Sequence, residues 1–231
     1  MKYKNIIEGK FIERPNRFIA KVLINDNNIE IVHIKNTGRC RELLIRGAKV
    51  FLSISDNPNR KTKYDLVAVE KDIGDKKILI NMDSQIPNDV AYEWLKNGEL
   101  FGNDIKIKRE VKYKNSRFDF YIEKENTKIF LEVKGVTLEN NGIALFPDAP
   151  TERGIKHIKE LISSIDEGFD AYILFVIQMK RINLFKPNEK MHKEFADVLR
   201  EANSKGVKII AKDCIITKDS IQIDSNVQIE L

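Results

Sequence analysis

Short stretches in which hydrophobic and polar residues alternate dominate the N-terminal part of the chain. Residues 18–24 and 29–34 alternate on either side of the turn-forming run Asn-Asp-Asn-Asn at 25–28, which predicts a β-hairpin. Further strand-like stretches follow at residues 49–55, 64–69 and 77–81. Five short strands without long helical periodicity predict a five-stranded OB-like β-barrel, although an SH3-like barrel fits the pattern nearly as well.

The remainder of the chain mixes helical and strand patterns. Helices are predicted from Pro87-Asn88-Asp89 to Gly98, over residues 151–166 and over residues 188–202. Strand patterns occupy residues 105–111, 117–122, 128–133, 171–177 and 207–211. Because the stretch 171–177 is apolar throughout, we expect a mixed central sheet with helices on both faces. The predicted fold is mixed α+β, with a barrel over residues 1–82 and an α/β domain over residues 83–231.

The composition is that of an ordinary globular protein. Of 231 residues, 42% are hydrophobic and 32% are charged, which excludes an intrinsically disordered chain. Only eleven Gly, six Pro and two Cys exclude the collagen-like and disulfide-rich classes. The apolar run 171–177 is far shorter than the ~20 residues of a membrane-spanning helix, and the N-terminus has no signal-peptide pattern. We therefore expect a cytoplasmic protein in which Cys40 and Cys214 are reduced and structural.

Positive charge is concentrated in the predicted barrel. The net charge is +5, and residues 1–82 contain 17 of the 40 Lys and Arg but only 10 of the 35 Asp and Glu. The densest basic run, interrupted only by Glu42 and Asp56, consists of Lys35, Arg39, Arg41, Arg46, Lys49, Arg60, Lys61 and Lys63. Such a run suits a phosphate-binding surface, but on its own it is more often an ordinary solvated surface.

Acidic and basic side chains cluster on adjacent predicted strands. Since strand side chains alternate between faces, Glu132 and Lys134 share one face while Val133 points into the apolar layer. Asp119 brings a second carboxylate to that face if the hairpin pairs in register, and Glu110 is a candidate for a third. Paired carboxylates suit Mg²⁺ or Mn²⁺, with which a phosphodiesterase activates water, and Lys134 is expected to position that water. The alternative is an exposed cross-strand charge cluster without catalytic consequence.

A Pro-rich turn at residues 146–150 leads into the helix predicted over 151–166, with Thr151 as its N-cap. Four polar residues share the face opposite the apolar stripe, namely Arg153, Lys156, His157 and Glu160. A basic face that begins at a helix N-terminus suits a phosphate backbone. The alternative is an ordinary amphipathic surface helix.

Other catalytic motifs are missing from the sequence. His33, His157 and His192 lack the spacing of zinc ligands, and there is no P-loop or dinucleotide fingerprint. Gln178 follows the buried strand, where we expect either an auxiliary polar group that points toward the carboxylates or a surface residue at the strand end.

Several blocks in a fixed order resemble one known family. The blocks are Asn36-Thr37-Gly38-Arg39, Ser116-Arg117-Phe118-Asp119-Phe120, Glu132-Val133-Lys134-Gly135-Val136-Thr137-Leu138 and Phe146-Pro147-Asp148-Ala149-Pro150-Thr151-Glu152-Arg153-Gly154, with Lys156-His157 after the last. Almost end to end, the chain is similar to the sugar fermentation stimulation protein A family. The resemblance implies an N-terminal OB-like domain, a C-terminal domain similar to the PD-(D/E)XK nucleases, and DNA binding.

The same resemblance implies roles for individual residues. Asp119 and Glu132 resemble the two metal carboxylates of the nuclease motif, Lys134 its lysine, and Glu110 an additional acidic position. Phe118 stands where the motif often has proline. Contacts with nucleic acid are expected from Arg39, Arg41, Arg117, Arg153, Lys156 and His157.

Two functions follow from these observations. The first is a DNA-binding protein with a Mg²⁺-dependent nuclease site, and the alternative is a non-catalytic DNA-binding regulator of sugar-utilisation genes that keeps a nuclease-like fold. Neither predicts a membrane partner or a small-molecule cofactor. A sugar-cleaving enzyme with paired carboxylates is disfavoured, because a lysine lies beside them and aromatic residues make up only 8% of the chain.

Overall fold

Strands near the N-terminus form a barrel with one strand appended. In this computed structural model, which describes residues 1–25, 27–36, 38–73 and 76–231, they are β1 (Ile6–Asn16), β2 (Ile19–Ile24), β3 (Asn28–Ile34), β4 (Lys49–Ile54), β5 (Tyr64–Ile73) and β6 (Lys76–Asn81). The order β3-β2-β1-β4-β5 is closed by a parallel pairing of β3 with β5, and β6 continues beyond β5. The ring therefore has five strands, as predicted for an OB-like barrel.

The membership of this ring differs from the prediction. The five predicted strands correspond to β2–β6, whereas the ring uses β1 and leaves β6 outside it. β1 lacks a clear pattern because Phe11 is its only fully buried residue, and shifts of register beside Glu13 interrupt its pairing with β2. The predicted hairpin is present as the β2–β3 pair, although Asp26 of its turn lies outside the described residues.

Strand alternation fills the barrel and leaves its loops polar. Ala20, Val22 and Ile24 on β2 point inward and are buried, while the residues between them are partly exposed. The connection between β3 and β4 carries Arg39 and Arg41 on the surface. The barrel thus supplies a rigid support for a basic loop.

The rest of the chain builds a mixed sheet with helices on both faces. Its elements are α1 (Ile86–Lys96), β7 (Lys106–Tyr113), β8 (Ser116–Lys124), β9 (Thr127–Val136), β10 (Leu138–Asn140), β11 (Ile143–Phe146), α2 (Glu152–Asp166), β12 (Asp170–Ile177), β13 (Leu184–Pro187), α3 (Lys193–Ser204), β14 (Lys208–Ile216), β15 (Ile221–Asn226) and β16 (Gln228–Ile229). The large sheet has the order β15-β14-β12-β9-β8-β7, in which β9, β12 and β14 are parallel. α1 packs on one face and α2 on the other.

Most of this architecture agrees with the sequence pattern. The strand at 171–177 is confirmed as the buried parallel strand β12, and Thr151 caps α2 by accepting a hydrogen bond from the N–H of Gly154 at 3.0 Å. α3 begins at Lys193 rather than 188, since Asn188 instead donates its side-chain amide to the carbonyl of Pro147. The small sheet β10-β11-β13-β16 is not predicted.

Buried polar contacts join the barrel to the α/β domain. Gln178 donates to the side chain of Asn81 at 3.0 Å and to the carbonyl of Asp83 at 3.1 Å. On the opposite side of the junction, Lys71 of β5 forms an ion pair with Glu139 of β10, whose side chain is only 1% exposed. One continuous hydrophobic cluster also spans the two parts. The relative position of the barrel and the sheet is therefore fixed by packing and hydrogen bonds.

The first residues pair with the far end of the large sheet rather than with the barrel. Lys2 forms a strand bridge with Ser220, and the N–H of Tyr3 donates to the carbonyl of Asp219 at 2.7 Å. The side-chain hydroxyl of Tyr3 accepts from Asn81 at 2.9 Å. Among the helices of the described segments, none is long and apolar enough to cross a membrane.

Candidate active site

The strands β8 and β9 separate at the position of Asp119. Their ladder runs regularly from the turn to the pair Phe120–Leu131 and stops there. Asp119 is the next residue of β8 beyond that pair. Its Oδ2 accepts the N–H of Val133 at 2.7 Å and so takes the place of the backbone carbonyl of a paired strand. Its Oδ1 accepts from the side-chain amide of Asn88 on α1, also at 2.7 Å. The carboxylate is thus held from both sides at the mouth of the split.

Glu132 lies opposite, at the same level of β9, and is almost completely buried. Its Oε1 accepts hydrogen bonds from Lys134 Nζ at 2.6 Å and from the ring Nδ1 of His157. Its Oε2 is buried and has no hydrogen-bond partner within the described ranges. An unpaired buried carboxylate oxygen is costly, so this atom is suited to a cation.

The two carboxylates have different acidities. The pKa of Asp119 is raised to about 6, mainly by burial and next by the negative charge of Glu132. The N–H of Val133 and the charge of Lys134 lower this pKa and offset part of the rise. Burial alone would raise the pKa of Glu132 too, but Lys134 and His157 outweigh it and hold that pKa below its ordinary value. At neutral pH Glu132 is therefore ionised, whereas Asp119 titrates just below neutrality.

Lys134 projects from the same face of β9 as Glu132, as the alternation predicts. Val133 points the other way and is buried against α1 and its neighbours. A carboxylate pair and an ammonium group consequently meet where the two strands diverge, as the strand alternation predicts.

Glu110 does not join this group. It lies on the edge strand β7 in a left-handed conformation with φ of 57°, where the ladder skips between the pairs Arg109–Phe120 and Val111–Phe118. Its carboxylate accepts from Arg117 Nε at 2.7 Å and is half exposed. Over the described part of the chain, no three His, Cys, Asp or Glu residues lie close enough to hold a metal ion together.

His157 is buried rather than exposed, so the prediction that it lies on the solvent face of the helix is wrong. Its side chain is only 5% exposed, and its Nδ1 donates to Glu132 while its Nε2 accepts from Arg153 Nε at 3.4 Å. The helical pattern alone contains no information about Glu132, the buried carboxylate on β9 that the ring of His157 contacts. His157 is therefore placed to orient Glu132, and its predicted contact with nucleic acid stays a prediction.

Comparison with known proteins identifies the family. Residues 12–81 match the SfsA N-terminal OB domain, and residues 85–220 match the sugar fermentation stimulation protein RE domain. The chain belongs to the sugar fermentation stimulation protein family. Homologues of that name from Clostridium beijerinckii and Ruminiclostridium cellulolyticum are 59% and 57% identical to it over the full length of each chain.

A solved structure agrees with this assignment to the SfsA family. The structure of Pyrococcus furiosus SfsA in complex with Ca²⁺ is 31% identical, has a TM-score of 0.86, and covers 100% of this chain and 98% of its own. The predicted family and the combination of OB-like barrel with a mixed α/β part are thereby confirmed. Of the blocks that carried the resemblance, all but Thr37 fall within the described residues.

The remaining predicted basic residues of this SfsA-family chain fall into two groups. Those that the structure leaves on the surface are Arg39, Arg41, Arg117, Arg153 and Lys156. Three cations of the barrel run are instead paired with acids from outside that run, as Lys35 contacts Asp83, Lys49 contacts Glu8 and Arg60 contacts Asp65. The free basic surface of the barrel is therefore smaller than the sequence predicts.

Two positions that sequence reasoning did not identify shape the region. Arg14 donates to the carbonyls of Asn36, Gly38 and Arg39 at 2.8 to 2.9 Å, which fixes the loop that presents Arg39. Asn88 holds Asp119 from α1. A lone arginine on a strand and an asparagine in a first helical turn carry no distinguishing signal. Gln178 is the buried link to the barrel described above, not a surface residue.

Proposed function

We propose that this protein binds nucleic acid, most favourably DNA, and hydrolyses phosphodiester bonds in its C-terminal domain with the help of Mg²⁺ or Mn²⁺. The observation that carries the proposal is the buried Oε2 of Glu132, which lacks a partner in the described structure and lies beside a second, partly buried carboxylate, Asp119. Two such groups repel each other unless a cation lies between them.

The donor set fits a hard divalent cation. Asp119 and Glu132 would hold it through carboxylate oxygens, which Mg²⁺ and Mn²⁺ prefer and which leave positions for water and a phosphate oxygen. The relative from Pyrococcus furiosus was solved in complex with Ca²⁺, a cation of the same oxygen-binding class. When bound, the cation lowers the pKa of a water ligand and offsets charge on the scissile phosphate.

The chain's own residues complete the chemistry. The side chain of Lys134 is only 15% exposed, and its ammonium group lies 2.6 Å from Glu132. In this position it can donate to an attacking water or to a phosphate oxygen. His157 and Asn88 fix the orientation of the two carboxylates through hydrogen bonds and are positioning residues. Because each carboxylate is tied to a different helix, the site keeps its geometry before substrate arrives.

The path of the nucleic acid follows from the exposed cations. Arg117, Arg153 and Lys156 line one cleft at the start of β8, and Arg39 and Arg41 are exposed on the barrel loop. Burial raises the pKa of Asp148, and the nearby charge of Arg39 offsets part of that rise. The barrel loop that carries Arg39 therefore borders the α/β domain. Contacts of this kind position the phosphate backbone without reading sequence.

The test is a cleavage assay with matched variants. Labelled duplex, single-stranded and branched DNA and RNA are incubated with Mg²⁺, Mn²⁺ or EDTA, using the unaltered protein, Glu132→Gln and Lys134→Ala. Lys128→Ala, an exposed lysine on the same strand, serves as the control. We expect cleavage that requires the cation, persists in Lys128→Ala and falls at least about a hundredfold in the other two variants.

A different result would favour the non-catalytic regulator. If every substrate stays intact with both cations while DNA binding survives equally in all variants, the hydrolytic proposal fails. Calorimetric titration of Mn²⁺ then shows whether the carboxylates bind a cation at all, because Glu132→Gln removes one of the two ligands.

A further inference from the structure

A cleft lies beside the carboxylate pair, on the other side of His157. It is formed by the end of β7, the start of β8 and the first turns of α2, encloses about 780 Å³, and is called here the β8–α2 cleft. The lining residues that matter are Lys112, Ser116, Arg117, Arg153, Lys156 and His157. His157 forms the common wall, because its ring borders this cleft and also contacts Glu132.

The cleft is strongly basic. Its four cations face two carboxylates, Glu152 on the rim and Glu110, which is engaged by Arg117. Lys112, Arg117, Arg153 and Lys156 are all exposed. Lys156 donates to the backbone carbonyl of Asn115 at 2.6 Å, a neutral acceptor that leaves its positive charge in the cleft. Arginine guanidinium groups and lysine ammonium groups gathered in a concave site favour a phosphate over a neutral ligand.

Ser116 provides an independent indication of a ligand. It is 6% exposed, lines the cleft, and its hydroxyl has no hydrogen-bond partner anywhere in the described ranges. A buried hydroxyl without a partner loses its hydration and gains nothing in return. A phosphate oxygen in the cleft would supply the missing acceptor.

We propose that the β8–α2 cleft is a phosphate subsite, which holds a phosphate group of the substrate strand next to the one that approaches Asp119 and Glu132. This rests on the proposed function, since it places a second phosphate of the same strand. The ligand is either an internal diester or a terminal phosphate monoester, and both present the oxygens that the cleft requires. The contacts come from Ser116, Arg117, Arg153 and Lys156.

Binding without metal tests the subsite separately from cleavage. In EDTA, inorganic phosphate and short single-stranded DNA with a 5′-phosphate or a 5′-hydroxyl are titrated into the protein. Arg153→Gln and Ser116→Ala are compared with Lys128→Gln, which removes a charge on β9 outside the cleft. We expect Arg153→Gln to weaken binding of phosphate and DNA about tenfold more than Lys128→Gln, and Ser116→Ala to weaken it about fivefold.

Each outcome decides one question. Ser116→Ala removes an unpartnered hydroxyl and keeps the net charge, so its loss of affinity cannot be ascribed to the overall field or to unfolding. A preference for the 5′-phosphate identifies a terminal monoester, and equal binding of both oligonucleotides identifies an internal diester. If both cleft variants bind like Lys128→Gln, the subsite is overturned even where cleavage is metal-dependent. If cleavage is absent but the cleft variants still lose affinity, the subsite stands and the hydrolytic function falls.

Discussion

At the scale of single residues, protonation of Asp119 contributes to the free energy of unfolding, and this contribution changes with pH. The folded protein raises its pKa to about 6 from an ordinary 3.8, so the folded state binds this proton more tightly than the unfolded state. The stabilisation that the proton provides is complete below about pH 4 and is lost as the pH rises through about 6. In metal-free protein at neutral pH, the ionised carboxylate is therefore a source of instability.

Asp119→Asn should make the metal-free protein more stable at pH 7. The amide carries no charge to bury, its oxygen still accepts the N–H of Val133, and the side-chain amide of Asn88 can turn its oxygen toward the new NH₂ group. We therefore expect a gain of roughly 2 kcal/mol that shrinks toward pH 4. Urea unfolding in EDTA at both pH values measures it. Asp104→Asn, in an exposed loop, is the control and should change little. A variant less stable than the unaltered protein at pH 7 would contradict the argument.

The residues of the site differ in how readily the sequence predicts them. Glu132 and Lys134 are predicted because period-two alternation alone puts them on one face of a strand. His157 is wrongly predicted because a helical pattern separates apolar from polar positions and contains no information about an acceptor on another element. The same limit applies to Arg14, since three of its carbonyl partners lie more than twenty positions away.

At the scale of elements, the start of α2 positions Arg153 and His157. Thr151 precedes the helix with φ of −138°, and its hydroxyl accepts the N–H of Gly154. This bond satisfies one of the amide groups that a helix leaves without an internal partner. The direction of the first turn, and with it the contact between His157 and Glu132, depends on that cap.

Thr151→Ala should therefore destabilise the protein by about 1 kcal/mol, since the cap is lost, whereas Thr151→Ser keeps the hydroxyl and should restore most of that stability. Chemical denaturation followed by circular dichroism gives both values. Equal destabilisation by the alanine and serine variants would show that the methyl group, and not the hydrogen bond, is what matters.

Regular elements are predicted well where one face is buried and poorly where pairing is irregular. The apolar run of β12 and the apolar stripe of α2 both predict which residues are buried. β1 does not, because a single buried phenylalanine and shifted registers weaken its alternation. The skipped pairing at Glu110 leaves no trace in composition, and it is this irregularity that keeps the predicted third carboxylate away from the other two.

At the scale of the whole molecule, the barrel and the α/β domain are joined by a charge pair with little access to water. Lys71 on β5 donates to both the carboxylate and the backbone carbonyl of Glu139, and Glu139 also accepts from the N–H of Gly142 at 2.7 Å. Removing one member of such a pair leaves the other charge buried and alone.

Lys71→Met should accordingly cost about 3 kcal/mol of unfolding free energy, because Glu139 keeps its burial and loses its counter-ion. Lys77→Met, which breaks an exposed pair with Glu70 on the neighbouring strand, should have little effect. Guanidinium titration of both variants makes the comparison. A similar small effect for both would mean that water reaches Glu139.

The ion pairs of the barrel show why the whole molecule is harder to predict than its parts. Within its own span the basic run contains only two acidic residues, Glu42 and Asp56, yet Lys35 and Arg60 pair with Asp83 and Asp65 in the folded chain. Charge counts along the sequence thus set the net field but not the free surface charge.

The pairing of the first residues with the far edge of the large sheet bears on how long the native state survives. The contact of Met1 with Ile221 spans 220 positions, and closing so large a loop is repaid only after both parts have folded. We expect a contact of that kind to form after the transition state, so that it slows unfolding and leaves the folding rate unchanged. On this account the first three residues prolong the lifetime of the folded chain by lowering its unfolding rate.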